Sequence, residues 1–391
     1  MKYKWRAYHL GEITELVIDY RGKTPKKLGG DWSESGYRAL SAKNIKTGHI
    51  VQPDTIRFVS EEMYHKWMKD EIQRGDIIIT SEAPFGQILY WDSEEKIVLS
   101  QRLFGVRVKK EHDSKFVYYY MTTSDFQGEM DGRATGTTVV GLRQSELMKC
   151  VVRCPNLDTQ KKIASILSSI DEKILINDKI NENLEQQAQA IYQQMFIDNA
   201  SSDWTEGTLS DIADITMGQS PSGSSYNEDG NGTIFFQGRA EFGFRFPNVR
   251  LYTTEPKRMA CSNDTLMSVR APVGDLNVAH TDCCIGRGLA AIRSKNNHQS
   301  FVLYTMFSLK KQLDIFNGEG TVFGSINRNS LNEMAILIPS SEKLDEFETL
   351  VAPMDAAIRN NCDEICRLEQ IRDSLLPRLM SGELDVSGIR L

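Results

Sequence analysis

The sequence predicts an α+β protein of two tandem domains with mixed, irregular sheets, separated by two long antiparallel coiled-coil helices with pseudo-two-fold symmetry. Three observations predict it. The chain repeats itself at an offset that drifts from 199 to 184 residues. Each copy alternates short β-rich runs with turn residues, and each ends in an apolar seam of heptad spacing.

The repeat opens with Trp5, Leu10 and Ile13, which recur as Trp204, Leu209 and Ile212. Gly22-Lys23-Thr24-Pro25 then recurs as Gly218-Gln219-Ser220-Pro221. Asp76 to Gly86 (DIIITSEAPFG) lies over Asp264 to Gly274 (DTLMSVRAPVG), so each copy has a buried strand running into an Ala-Pro-x-Gly turn. Phe116-Val117-x-Tyr119 matches Phe301-Val302-x-Tyr304, and Gly136-Thr137 matches Gly320-Thr321. Leu142, Leu147 and Pro155 match Ile326, Leu331 and Pro339. The expected division is domain one over 1–155, helix one over 156–199, domain two over 200–339, helix two over 340–382 and a tail over 383–391.

Within a copy, Ile77-Ile78-Ile79, Gln87 to Trp91, Ile97-Val98-Leu99 and Leu103 to Val108 are short runs of β-formers broken by Gly, Pro, Asp and Ser. Ser114 to Thr122 reads instead as a capped helix. After Pro155 the turn residues stop. The seam of helix one is Ile163, Leu167, Ile170, Ile174, Asn177, Asn181, Leu184, Ala188, Ile191 and Met195. That of helix two is Phe347, Val351, Met354, Ile358, Asn361, Ile365, Leu368, Arg372, Leu375 and Leu379. Steps of four and three alternate in both, as coiled-coil packing requires.

Helix one delivers the chain to domain two, so helix two can pair along it only by running back. At 1.5 Å per residue such a helix is about 55 Å long and serves as a ruler. Asn177 and Asn361 are repeat equivalents at seam positions and are expected to fix register, meeting or nearly meeting across the pair. The tail is expected to return to domain one.

Seven scattered cysteines without a CxxC pair read as reduced structural thiols; His280 with Cys283 and Cys284 is a weak metal candidate. No apolar run reaches the roughly 20 residues that span a bilayer, and the N-terminus lacks the apolar stretch of a secretory signal, so a cytoplasmic location without membrane contact is expected. The formal charge of −7 divides as +3 over 1–155, −3 over 156–200, −2 over 201–339 and −5 over 340–391. The acidity therefore sits mainly in the helices, leaving two near-neutral domains.

Two similar domains held apart by a two-fold device match a reader of two DNA half-sites. The chain resembles the specificity subunit of type I restriction-modification systems over essentially its whole length. The resemblance rests on the strand leading to Ala-Pro-x-Gly, the Gly-Thr stretch before Leu142 and Ile326, the proline before each helix, and Leu375-Leu376-Pro377-Arg378-Leu379-Met380-Ser381-Gly382. It implies a non-catalytic subunit with two target-recognition domains that read a bipartite site in double-stranded DNA. Implied partners are two modification (methyltransferase) subunits, with restriction subunits in the full complex. S-adenosylmethionine, ATP and magnesium then belong to the partners and no cofactor to this chain. The sequence agrees by lacking an Asn/Asp-Pro-Pro-Tyr/Phe motif and a G-x-x-x-x-G-K-[ST] loop. Pro53-Asp54 with Glu94-Glu95-Lys96 reads as a solvated charge cluster rather than a nuclease site.

Base reading needs forked donors and amides on loops. Candidates in domain one are Lys43, Asn44, Glu82, Gln101 and Arg102; the repeat assigns Arg239, Arg270, Arg287 and Arg328 in domain two. Lys23, Thr137, Arg143 and Thr321 are candidate phosphate contacts. A function of another class, a bivalent protein-binding coiled-coil scaffold without DNA recognition, is the alternative that the acidic net charge favours.

Overall fold

Three consecutive isoleucines, Ile77, Ile78 and Ile79, are all buried because successive side chains on a strand point to opposite faces and both faces of this strand are covered. Ile77 and Ile79 enter one core with Phe104, Phe116 and Phe126; Ile78 enters a second with Trp67, Tyr64 and Leu103. The strand Ile77–Thr80 is central in a four-stranded antiparallel sheet, ordered Thr14–Asp19, Leu103–Val108, Ile77–Thr80, Ile88–Tyr90. The computed structural model describes residues 5–136, 140–318 and 324–389, and the chain divides into two compact units.

Unit one comprises Met1–Ile174 with Cys366–Leu391. Besides the four-stranded sheet it holds the pair Arg6–His9 with Val151–Cys154 and a three-stranded sheet of Arg57–Val59, Tyr37–Leu40 and Val98–Leu99. The helix Ser114–Met121 begins where the Asp113 carboxylate accepts the Phe116 N–H at 2.8 Å, as the capping pattern predicts. Leu384 and Val386 pack into this unit's core, so the tail does return to the first domain. Gly382 is required there. Its φ is +75°, and a Cβ would stand 2.5 Å from Nε1 of Trp5.

Unit two, Leu175–Ile365, repeats the topology. Thr205–Thr208 pairs with Ala335–Ile338, and the four-stranded sheet runs Ala213–Met217, Leu289–Ser294, Thr265–Ser268, Leu276–Val278. The counterpart of the three-stranded sheet gains two edge strands, Tyr226–Asn227 and Met259–Ala260. Unit one has in that region a hairpin, Ile45–Lys46 with His49–Ile50, and a helix, Glu61–Trp67. The shared frame even keeps one ion pair on a buried aspartate: the Arg107 fork grips Asp76 at 2.8–2.9 Å, and the Arg293 fork grips Asp264 at 2.7–2.9 Å.

The two seams form helices Leu157–Tyr192 and Ser341–Met380. Every seam position on either helix is buried or half-buried, so the heptad spacing correctly selected the inward face. Pairing is antiparallel within each unit. In unit two Asn177 meets Glu364, Asn181 meets Asn361, and the rings of Tyr192 and Phe347 lie 5.9 Å apart. In unit one the Arg372 guanidinium bonds Asp171 at 3.0 Å, and Lys162 reaches the Ser387 carbonyl at 3.3 Å. Asn177 and Asn361 therefore occupy the seam but do not bond each other. Among the described residues no helix is long and apolar enough to cross a membrane.

Candidate nucleic-acid interface

In unit one the strands Tyr37–Leu40 and Val98–Leu99 run parallel, with Leu40 opposite Leu99. Both following loops therefore leave the sheet at the same edge. The first makes a 3-10 turn, Ala42–Asn44, and the second is Ser100-Gln101-Arg102. With the Ala83 turn beside them they enclose a cleft of about 220 Å³, whose wall includes Trp32, Lys43, Thr55, Arg57, Gln101 and Arg102.

Unit two builds the same feature by the same means. Phe236 lies opposite Ile285 in a parallel pair, and the following loops are the 3-10 turn Arg239–Glu241 and Gly286-Arg287-Gly288. With the Ala271 turn they enclose about 390 Å³, walled by Ser220, Gln237, Arg239, Glu241, Arg250, Arg270 and Arg287 among others. Backbone bonds establish which residues correspond. Ser81 N–H donates to the Arg102 carbonyl at 2.8 Å and Val269 N–H to that of Gly288 at 2.9 Å. Glu82 bridges Gly141 as Arg270 bridges Ser325. Hence Glu82 corresponds to Arg270, Gln101 to Arg287, Arg102 to Gly288 and Asn44 to Glu241.

The candidate side chains fall into distinct electrostatic states. Lys43, Gln101, Arg270 and Arg287 are exposed, and among the described residues their side chains make no hydrogen bond or ion pair within the chain. Arg102 is paired with Glu82 at 3.0 Å, and Arg239 with Asp275. Arg57 stacks over Trp32, 4.2 Å from its centroid. Arg250 bonds Glu241 at 3.0 Å, and Glu241 is 6% exposed.

Two candidates are engaged within the chain. Asn44 is 1% exposed, and its amide donates to Thr55 Oγ1 at 3.0 Å and the Gln52 carbonyl at 3.3 Å while its oxygen accepts from Ser41 Oγ at 2.8 Å. With its groups spent on the loop it braces the cleft. Lys23 is turned inward, its ammonium donating to the Trp67 carbonyl at 2.9 Å and lying 4.1 Å from the Tyr20 ring centroid. Burial, aided by Lys69, lowers its pKa.

Arg143 and Arg328 are exposed at the starts of the short helices Gln144–Leu147 and Arg328–Asn332, outside both cleft walls. Thr137 and Thr321 lie outside the described residues. Sequence reasoning missed Trp32, Thr55, Arg57, Ser220, Gln237, Glu241 and Arg250. Most lie in segments without a recurring motif, and Arg57 and Arg250 reach the clefts through strand pairing alone. Ser220 was within reach, as it belongs to a repeated turn.

Elsewhere, His280 Nε2 meets Asp363 at 2.7 Å, whereas Cys283 and Cys284 are buried in the strand Cys283–Ile285. Among the described residues no group of three or more His, Cys, Asp or Glu side chains is placed to hold a metal. In the charge cluster, Glu95 pairs with Arg38 and Lys96 with Glu71, as ordinary surface charges do.

The chain has counterparts by sequence and fold. The family model for the type I restriction modification DNA specificity domain matches residues 2–186 and again 201–351. The putative type I restriction enzyme MjaX specificity subunit of Methanocaldococcus jannaschii is 28% identical, over 98% of this chain and 94% of that protein. The MjaIX specificity subunit of the same organism is 26% identical over 81% and 79%. In fold, the chain matches the S subunit of a type I restriction-modification system from M. genitalium with a TM-score of 0.62 and 17% identity, covering 97% and 96% of the two chains. Two matches of the DNA specificity domain, falling on the two copies that build the clefts, place this chain in the type I restriction-modification specificity family.

Proposed function

We propose that this chain is a non-catalytic cytoplasmic subunit that reads a bipartite target in double-stranded DNA, one half-site per recognition domain. It directs partner methyltransferase and restriction subunits to that target. The observation that carries the reading is the recurrence of one cleft, built at the same sheet edge in both copies but lined differently. A shared frame with divergent linings is what two separate sequence readers require, since base edges are distinguished by donor and acceptor pattern. Methyl transfer and cleavage, with S-adenosylmethionine, ATP and magnesium, belong to the partners in this reading.

Partner recruitment draws on helix one, where Leu175, Ile176 and Ile180 lie off the seam and are 49%, 52% and 42% exposed. An apolar patch of this kind on a charged helix is a docking feature.

The test is binding of the chain, assembled with its methyltransferase partner, to random duplex across a salt series, followed by methylome sequencing. Each neutralised phosphate contributes about −0.9 to the slope of log K against log salt. A steep slope and a single split methylation motif are expected. A complex that binds no duplex at any salt would return the chain to the protein-scaffold class.

A further inference from the structure

The two clefts differ at one pair of exposed, equivalent positions, Gln101 and Arg287. Each follows the strand that runs parallel to the first strand of its cleft, and each lines its cavity. Because two flanking backbone bonds recur, Ser100 N–H to Leu40 as Gly286 N–H to Phe236 and Ser81 N–H to Arg102 as Val269 N–H to Gly288, the two side chains leave corresponding points of the two loops. Both are exposed and unengaged within the described residues. A guanidinium fork fits O6 and N7 of guanine, whereas a carboxamide fits N6 and N7 of adenine.

The surroundings sharpen the contrast. In cleft one Glu82 neutralises Arg102 at 3.0 Å, so neither position beside Gln101 offers a free guanidinium fork, and the remaining cations of the wall are Lys43 and the Arg57 stacked on Trp32. In cleft two the same two positions are Arg270 and Gly288. A Cβ on Gly288 would stand 2.9 Å from the Gln237 carbonyl oxygen, so the close approach of the two loops excludes a side chain there. Arg270 thus has no acidic partner, while Arg239 and Arg250 are held by Asp275 and Glu241. Cleft two therefore offers two unspent guanidinium forks, and a guanine edge supplies two acceptors for each.

Resting on the DNA reading above, we infer that Gln101 and Arg287 are paired specificity-determining residues, Gln101 reading an adenine in half-site one and Arg287 a guanine in half-site two. Arg270 supports the second contact by keeping cleft two cationic.

The experiment compares the wild-type complex with Arg287→Gln and Gln101→Arg, each assembled with its methyltransferase partner. Methylome sequencing is combined with competition by duplexes carrying each of the four bases at every half-site position. Arg287→Gln should exchange guanine for adenine at one position of half-site two and leave half-site one unchanged. Gln101→Arg should produce the reciprocal exchange in half-site one. Each exchange should reverse a preference of about tenfold or more. A uniform loss of affinity without a change in base preference would make these residues phosphate contacts and overturn the inference. So would an unaltered motif in both variants. If Arg287→Gln assembles poorly, the Gln101→Arg arm decides alone. Failure of the wild-type complex to bind duplex would instead sink the DNA reading itself, and the two failures are distinguishable.

Discussion

Asn361 donates its amide to Asn181 Oδ1 at 2.9 Å, and not to its repeat equivalent Asn177, which donates to Glu364 Oε2 at 2.8 Å. In an antiparallel pair, residue numbers rise on one helix as they fall on the other. Each of the equivalent asparagines therefore faces a residue about one turn beyond its mate. Asn181 is 1% exposed, so Asn361→Leu alone should strand a buried amide and cost about 1–3 kcal/mol, whereas Asn181→Leu with Asn361→Leu should recover most of that loss. Urea unfolding of both single variants and the double gives the coupling. Strictly additive effects would mean the two side chains act independently.

Each recognition domain is latched to the long helix that follows it by a repeated tyrosine. Tyr119 Oη donates to Asp171 at 2.6 Å, and Tyr304 Oη to Asp355 at 2.9 Å. A hydrogen bond to a charged group contributes about 1.5–3 kcal/mol, so Tyr119→Phe and Tyr304→Phe should each destabilise by roughly that amount. Equilibrium denaturation with native-state hydrogen exchange would report it, the extra exchange appearing first in Ser114–Met121 or Gln299–Ser308.

Each latch aspartate is balanced by an arginine from a different source. Arg372 of helix two serves Asp171 at 3.0 Å; for Asp355 the cation is Arg245 of a domain loop, which also bonds Glu185 at 2.9 Å. Arg245 is 4% exposed, and removing the cation of a buried pair costs about 3–5 kcal/mol. Arg245→Met should show a loss of that order near neutral pH. Burial already raises the Glu185 pKa, and without Arg245 it rises further. A carboxyl whose folded pKa lies above its unfolded value binds protons more tightly when folded, so stability falls as pH climbs between the two values. The deficit of the variant should therefore shrink on acidification from about pH 8 to about pH 5. Thermal melts across that range check it, and a deficit independent of pH would remove the carboxylates from the explanation.

Thiol reactivity should separate the cysteines by burial. Cys366 is exposed, whereas Cys150, Cys154, Cys283 and Cys284 are buried. Burial pushes the Cys150 thiol up to about 11 and those of Cys154 and Cys283 up to about 12. Since the thiolate is the reactive form, a maleimide at about pH 7 should label Cys366 rapidly and the four buried thiols only after unfolding. Peptide mapping by mass spectrometry checks it; early labelling of Cys154 would contradict the packing of the first core.

The features that the sequence determined by itself were those encoded over short stretches. Heptad spacing chose the buried face of both long helices, alternation and turn residues placed the strands and Ala-Pro turns, and recurrence of those signals revealed the repeat. The candidate site was legible only where it borrowed such signals, as Glu82 and Arg270 do beside their turns and Gln101 and Arg287 do after their strands. Asn44 and Lys23 looked equally available in sequence, yet the fold spends one on its own loop and draws the other against Trp67 and Tyr20. Arg57 and Arg250 became cleft residues only when the strands Arg57–Val59 and Leu251–Thr253 were laid alongside their partners. Tertiary structure made those decisions because the availability of a polar group depends on what else competes for its hydrogen bonds. In the clefts those competitors come from strands and loops remote in sequence.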